Sequence, residues 1–182
     1  MDAFDLPAHV KPRFDPAAPP DDIASNPARW DYWAPTPSGD LGPDFVLGAN
    51  IARDLLADDD YEITRGMIAY ALATMRDKGA WGDVETGFVS LIGRKAQVGA
   101  RPSDLEDATP SSLTGVQRSQ FQIGMTDALA DMEWAASNPM YRILPARIMD
   151  RIGRAVVTQE HTPEFAGYAT TIIAAAVACG DH

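Results

Sequence analysis

The sequence predicts an all-α protein, a compact bundle of five or six helices preceded by an extended, proline-rich N-terminal arm. Three observations predict it. From Pro43 onward apolar residues recur at steps of three and four. Alternating β-branched and aromatic runs joined by Asn-Gly or Asp-Gly turns are absent. Nine of the fourteen prolines lie at or before Pro43, and proline removes a backbone donor and pushes the preceding residue towards extended geometry. The division that follows is an arm over 1–42 and a single helical domain over 43–182. No internal repeat stands out.

The first helix is expected from about Asp44 to Ala57, with Pro43 at its first turn and Phe45, Ala49, Ala52 and Leu56 on one side. The second lies in "DDDYEITRGMIAYALATMRDKG". Asp59 and Glu62 have capping-box spacing, Ile63, Met67, Tyr70 and Thr74 align, and Gly79 closes the end. A third runs from Asp83 through Val84, Phe88, Leu91 and Ile92 to about Val98. The connection "GARPSDLEDATPSS" is long enough to suggest either a role of its own or local disorder. Thr114 and Gln117 then box the start of a fourth helix with the stripe Phe121, Met125, Ala128, Met132 and Ala135. A turn at Pro139 precedes a fifth helix restarting near Pro145. In the last, Thr162 is the N-cap, Pro163 the first position and Gly180 the stop. That helix is apolar around most of its circumference, which places it at the centre of the body or at a subunit interface.

Bulk properties narrow the function. The chain has 182 residues and a net charge of −11. Such a charge argues against direct binding of nucleic acid, which relies on neutralising phosphates, and against anionic lipid. It suits a basic partner. One cysteine, Cys179, allows no intramolecular disulfide. The first thirty residues lack a signal-peptide pattern, and the most apolar stretch is too short to span a membrane. The expected setting is cytoplasmic.

Candidate chemistry is sparse, and each candidate has an ordinary alternative. Asp58, Asp59 and Glu62 could hold a divalent cation, since hard cations want several oxygen ligands; the same acids serve as helix caps. Asp127 and Asp131, four apart on the fourth helix, repel each other and invite a metal or an arginine; otherwise they are a solvated face. Arg147, Arg151 and Arg154 make a basic stripe suited to phosphate or carboxylate, or to internal pairing. His9, His161 and His182 are poorly placed for catalysis. "GAWGDVETG" lacks the lysine and spacing of a phosphate loop, and no cofactor is expected.

The strongest feature is Trp30, Tyr32 and Trp33, set between prolines. Burying large aromatics is favourable by about 25 cal/mol per Å² of apolar area, and disordered segments are poor in them. The arm therefore docks. Its host is the chain's own helices, a second copy or another protein. In extended geometry Trp30 and Tyr32 point one way and Trp33 the other. The reading that follows is a non-catalytic interaction protein (an adaptor, inhibitor or regulatory subunit) acting through an acidic helical surface and an aromatic arm, with a protein partner or self-association. The alternative is a small helical metal-dependent enzyme acting on a phosphate-bearing substrate.

Overall fold

The structure, a computed structural model, describes residues 7–12, 30–58, 60–99, 109–138 and 145–179. Asp59, the turn expected at Pro139, the stop at Gly180 and most of the 99–112 connection lie outside the described residues. The order is β1 (Lys11–Pro12), β2 (Trp30–Asp31), α1 (Leu41–Leu56), α2 (Tyr61–Lys78), α3 (Asp83–Gly99), α4 (Gly115–Ser137), α5 (Ala146–Val157) and α6 (Pro163–Ala178). The fold is all-α. The two short strands pair antiparallel, Lys11 with Asp31 and Pro12 with Trp30.

α1 begins two residues before Pro43, because the first turn of a helix has orphan N–H groups and loses nothing to a proline there. The capping is done by Asp44, whose carboxylate accepts from Ser38 N at 2.6 Å, Ser38 Oγ at 2.8 Å and Gly39 N at 2.9 Å. For α2 the N-cap is Asp60, accepting from Glu62 N and Ile63 N at 3.1 Å each. Gly79 ends it in the left-handed conformation. At α4, Gln117 Oε1 accepts from Thr114 N at 3.1 Å. At α6, Thr162 Oγ1 accepts from Phe165 N at 3.1 Å, with Pro163 following.

Two inward faces differ from expectation by one position. α1 buries Asp44, Gly48, Ala52 and Leu55, since Gly48 has to face α3. α2 buries Thr64, Ile68, Ala71, Leu72, Thr74 and Met75. Ile63 and Tyr70 are exposed, and Tyr70 instead meets the arm. α6 is central: Tyr168, Ile172, Ala175 and Ala176 are almost wholly buried, and the helix packs against α2, α3 and α4.

A three-helix unit occurs twice. α1 crosses α3 so closely that a methyl group on Gly48 would overlap the Val84 carbonyl, and one on Gly87 the Phe45 carbonyl. α4 crosses α6 in the same way, Gly124 against the Glu164 carbonyl and Gly167 against that of Phe121. Phe45, Gly48 and Ala52 thus correspond to Phe121, Gly124 and Ala128. Further along, a constant spacing relates Ile68 to Ile148, Leu72 to Ile152, Phe88 to Tyr168, Ile92 to Ile172 and Ala96 to Ala176. The turns agree in detail. Gly79 N bonds Arg76 O and Ala80 N bonds Met75 O, while Gln159 N bonds Val156 O and Glu160 N bonds Ala155 O. Gly79 and Gln159 both have positive φ, 61° and 51°.

The units face each other reciprocally: α3 packs on α6, α2 on α6 and α5 on α3. The Gln159 side chain donates to the Asp77 carbonyl at 2.9 Å and lies against Gly79, its own counterpart. Contact between corresponding residues is the signature of a two-fold relation, here within one chain.

Gly66, by contrast, lies in mid-α2 with nothing within 4 Å of where a methyl would stand. Glycine there costs roughly 0.5–1 kcal/mol relative to alanine. Gly66→Ala should raise the unfolding free energy by that amount, read in urea as a higher midpoint with the slope unchanged.

Candidate functional site

The arm residues form the most elaborate constellation among the described residues. Trp30, Tyr32 and Trp33 are 3%, 2% and 1% exposed, so they are seated in the chain's own body and present no free aromatic surface. As alternation requires, they enter two clusters. Trp30 and Tyr32 join Val10 and Met67, and Trp33 enters the main core. Tyr32 stacks on Tyr70 at 4.6 Å, and Trp33 meets Phe88 edge-on at 4.8 Å. Trp33 Nε1 donates to Glu85 Oε1 at 2.6 Å. Lys78 Nζ donates to the Trp33 carbonyl and to Asp31 Oδ2, both at 2.6 Å. A cleft of about 410 Å³ continues from Trp33 along Pro35, Pro37, Ala80, Asp83 and Val84.

The repeat explains why a tryptophan is wanted here. In the second unit, the corresponding place is filled by Arg151. Its guanidinium lies over the Phe165 and Tyr168 rings, donates to Glu160 at 2.7 and 3.0 Å and sits 3.6 Å from Glu164. Those four residues correspond to Glu85, Phe88, Ala80 and Val84. Arg151 itself corresponds to Ala71, which is fully buried. In the first unit Trp33 bonds Glu85 and lies against Phe88, the counterparts of the Phe165 and Tyr168 over which Arg151 lies.

The expected basic stripe is divided among carboxylates of the same chain. Arg147 lies 3.4 Å from Asp131 and 3.9 Å over the Trp134 ring. Arg151 pairs with Glu160 as above, and Arg154 pairs with Asp150. The hydrogen bond to Glu160 raises the Arg151 pKa, and the same bond lowers that of Glu160. Asp131 also accepts from the Tyr168 hydroxyl at 2.9 Å. Burial first, then the Asp131 charge, holds that phenol far above its usual range.

The proposed metal ligands are not brought together. Asp58 Oδ1 accepts from Asp60 N at 2.9 Å, Glu62 lies 3.9 Å from Arg65, and Asp127 is exposed on α4. Among the described residues no three His, Cys, Asp or Glu side chains converge as metal ligands. Likewise no described helix is long and apolar enough to cross a membrane.

Sequence reasoning missed His9, Lys78 and Glu85. The partners of Lys78 and Glu85 lie 45 and 52 residues away, beyond any local pattern. His9 is buried 5.9 Å from the Trp33 ring, and its Nε2 has no hydrogen-bond partner. Burial lowers its pKa from 6.5 to about 4, with Asp54 pulling it slightly back up. The sign follows. Above pH 6.5 the imidazole is neutral whether the arm is docked or free, so this group adds no pH dependence. Between 6.5 and 4 only the free arm takes the proton, and docking weakens by up to about 3 kcal/mol; below 4 the dependence ends. Tryptophan emission followed in acid titration should show the arm loosening in that window, and His9→Phe should abolish the change. Asp44, held below its usual range first by the Ser38 backbone N–H, adds an independent loss only at more acid pH.

The fold and this site thus define a duplicated three-helix bundle whose first unit is completed by its own N-terminal arm. In comparisons with known proteins, the chain matches no family model, no curated protein and no solved structure.

Proposed function

We propose that the chain is a non-catalytic protein-interaction protein, an adaptor, inhibitor or regulatory subunit that works by occupying a partner through its acidic helical surface. The observation that carries this reading is the turn between α1 and α2. Asp54, Asp58, Asp60 and Glu62 are all exposed there, and Tyr61 and Ile63 stand among them 41% and 44% exposed. Among the described residues Asp54, Asp58 and Asp60 make no ion pair, whereas the second unit's Arg147, Arg151 and Arg154 are all paired. Unpaired carboxylates around exposed apolar side chains suit a basic, partly apolar surface on another protein, with charge steering the encounter and the apolar contacts holding it. The aromatic arm contributes by completing the core of the first unit.

The test compares the chain with an Asp54→Lys, Glu62→Lys variant whose melting temperature is first shown to be unchanged. Capture from source-cell lysate, identification of the captured protein and titration of the purified pair should give a stoichiometric complex that weakens at least tenfold in the variant and with added salt. No partner and no self-association at micromolar concentration, together with a melting temperature raised by magnesium or manganese, would replace this reading with the metal-dependent enzyme.

A further inference from the structure

The groove that takes Trp33 belongs to α2 and α3, but Trp33 reaches it from a segment joined to α1 through "APTPSGD", residues 34–40. Three features of this arrangement point the same way.

First, the arm is held to the helices as a ligand is held. Its hydrogen bonds to the body run through side chains: Glu85 to the indole N–H, and Lys78 to the Trp33 carbonyl and to Asp31. The ring contacts with Tyr70 and Phe88 are likewise side chain on side chain. The nearest of these partners in sequence, Tyr32 and Tyr70, are still 38 residues apart. None of the contacts depends on the arm and groove belonging to one chain.

Second, the connection is built to redirect the arm. Residues 36–40 are exposed. The preceding backbone bond, Ala34 N to His9 O at 2.7 Å, stays within the arm, and Ser38 and Gly39 bond only the start of α1. Pro35 and Pro37 favour an extended path in the residues before them. Gly39, at φ 88°, supplies a turn whose direction other residues rarely adopt.

Third, supply and demand match at one. Each chain has one arm, and one groove among the described residues takes its indole, the groove of Lys78, Glu85 and Phe88. A reciprocal exchange between two chains therefore satisfies every arm and every groove and closes at two.

We propose that two copies of the chain exchange their arms, so that Trp33 of each fills the groove beside Lys78, Glu85 and Phe88 of the other. A short tether gives the arm an effective concentration of order millimolar for its own groove. Exchange is accordingly a minor state at micromolar concentration and grows steeply at hundreds of micromolar, wherever the chain is locally concentrated. The inference stands on the arm alone and is independent of the acidic-surface reading.

The experiment uses full-length chains that each carry one thiol. In a Cys179→Ser background, Asp31→Cys is placed in one preparation and Lys78→Cys in the other. The two are mixed, incubated and treated with a short bis-maleimide. Only an arm docked on another chain brings these two thiols together. Each preparation alone measures collisional background, and the double variant Asp31→Cys, Lys78→Cys reports docking within a chain. Heterodimer above background that rises with concentration is the expected result. It should fall severalfold when the arm donor also carries Trp33→Ala, or, should that chain fold poorly, when the groove donor carries Glu85→Gln. Heterodimer at background up to millimolar concentration, with the double variant cross-linking within itself, would overturn the proposal. So would a double variant that fails to cross-link at all when Trp33→Ala also leaves the parent's urea midpoint unchanged, because the docked arm on which the proposal rests would then be absent.

Discussion

Trp33→Ala should destabilise the chain by about 3–5 kcal/mol, the range for removing a fully buried tryptophan. The side chain is 1% exposed, touches Phe88 and belongs to the main core. The loss is mostly packing. Glu85 keeps the Gly82 N–H at 2.8 Å and is half-exposed, so losing the indole leaves no stranded charge. Trp33→Phe separates the contributions: a ring remains against Phe88 while the bond to Glu85 goes, at a cost of about 1.5–3 kcal/mol for a hydrogen bond to a charged group. Urea unfolding monitored by circular dichroism gives both values. An alanine variant within 1 kcal/mol of the parent would mean that the arm is not part of the core.

Gly124→Ala should cost at least about 3 kcal/mol, at the upper end of overpacking effects. The added methyl would fall on the Glu164 carbonyl and against Tyr168 N. These are backbone atoms in the first turns of α6, and they cannot yield as the tip of a flexible side chain can. The helices must separate along the whole crossing, which loosens Phe121, Ala128 and their partners on α6. Gly48→Ala should do the same to α1 and α3, because the overlap with Val84 O and Phe88 N is equivalent. The same substitution at Gly66 should stabilise. Three identical chemical changes with opposite signs isolate helix approach as the cause. Equal, small effects at Gly124 and Gly66 would remove the close crossing from the structure.

The helices were legible where caps and stripes agreed. Thr114 with Gln117, and Thr162 with Pro163, marked the starts of α4 and α6, and Phe121, Ala128, Met132 and Ala135 do face inward. α1 and α2 were read one position off for a physical reason. Their outward apolar residues, Met67 and Tyr70 among them, are spent on the arm, and Gly48 carries no apolar side chain to advertise that it faces the core. The arm's two-sidedness was readable from strand geometry, but not its seat, because nothing local to Glu85 or Lys78 announces an indole from far along the chain. The repeat was hidden for a related reason. Close backbone approach preserves Gly48, Gly87, Gly124 and Gly167, whereas Ala71 opposite Arg151, or Leu55 opposite Asp131, keeps position and abandons chemistry.

That last divergence bears on how the chain avoids misassembly. With two crossings of the same glycine geometry, a folding chain could pair α1 with α6 and α4 with α3, a hazard of repeated units. Asp131 on α4 corresponds to Leu55 on α1, and Tyr168 on α6 to Phe88 on α3. In the native pairing, Tyr168 gives its hydroxyl proton to Asp131, while Leu55 and Phe88 share the apolar core. Exchanged, the Tyr168 hydroxyl would be buried opposite leucine, and Asp131 would face phenylalanine. A buried polar group without a partner costs about 1–3 kcal/mol, so the crossing of α1 with α6 is penalised at the Tyr168 hydroxyl. The hydrogen bond between Tyr168 and Asp131 thus favours the native pairing of α4 with α6.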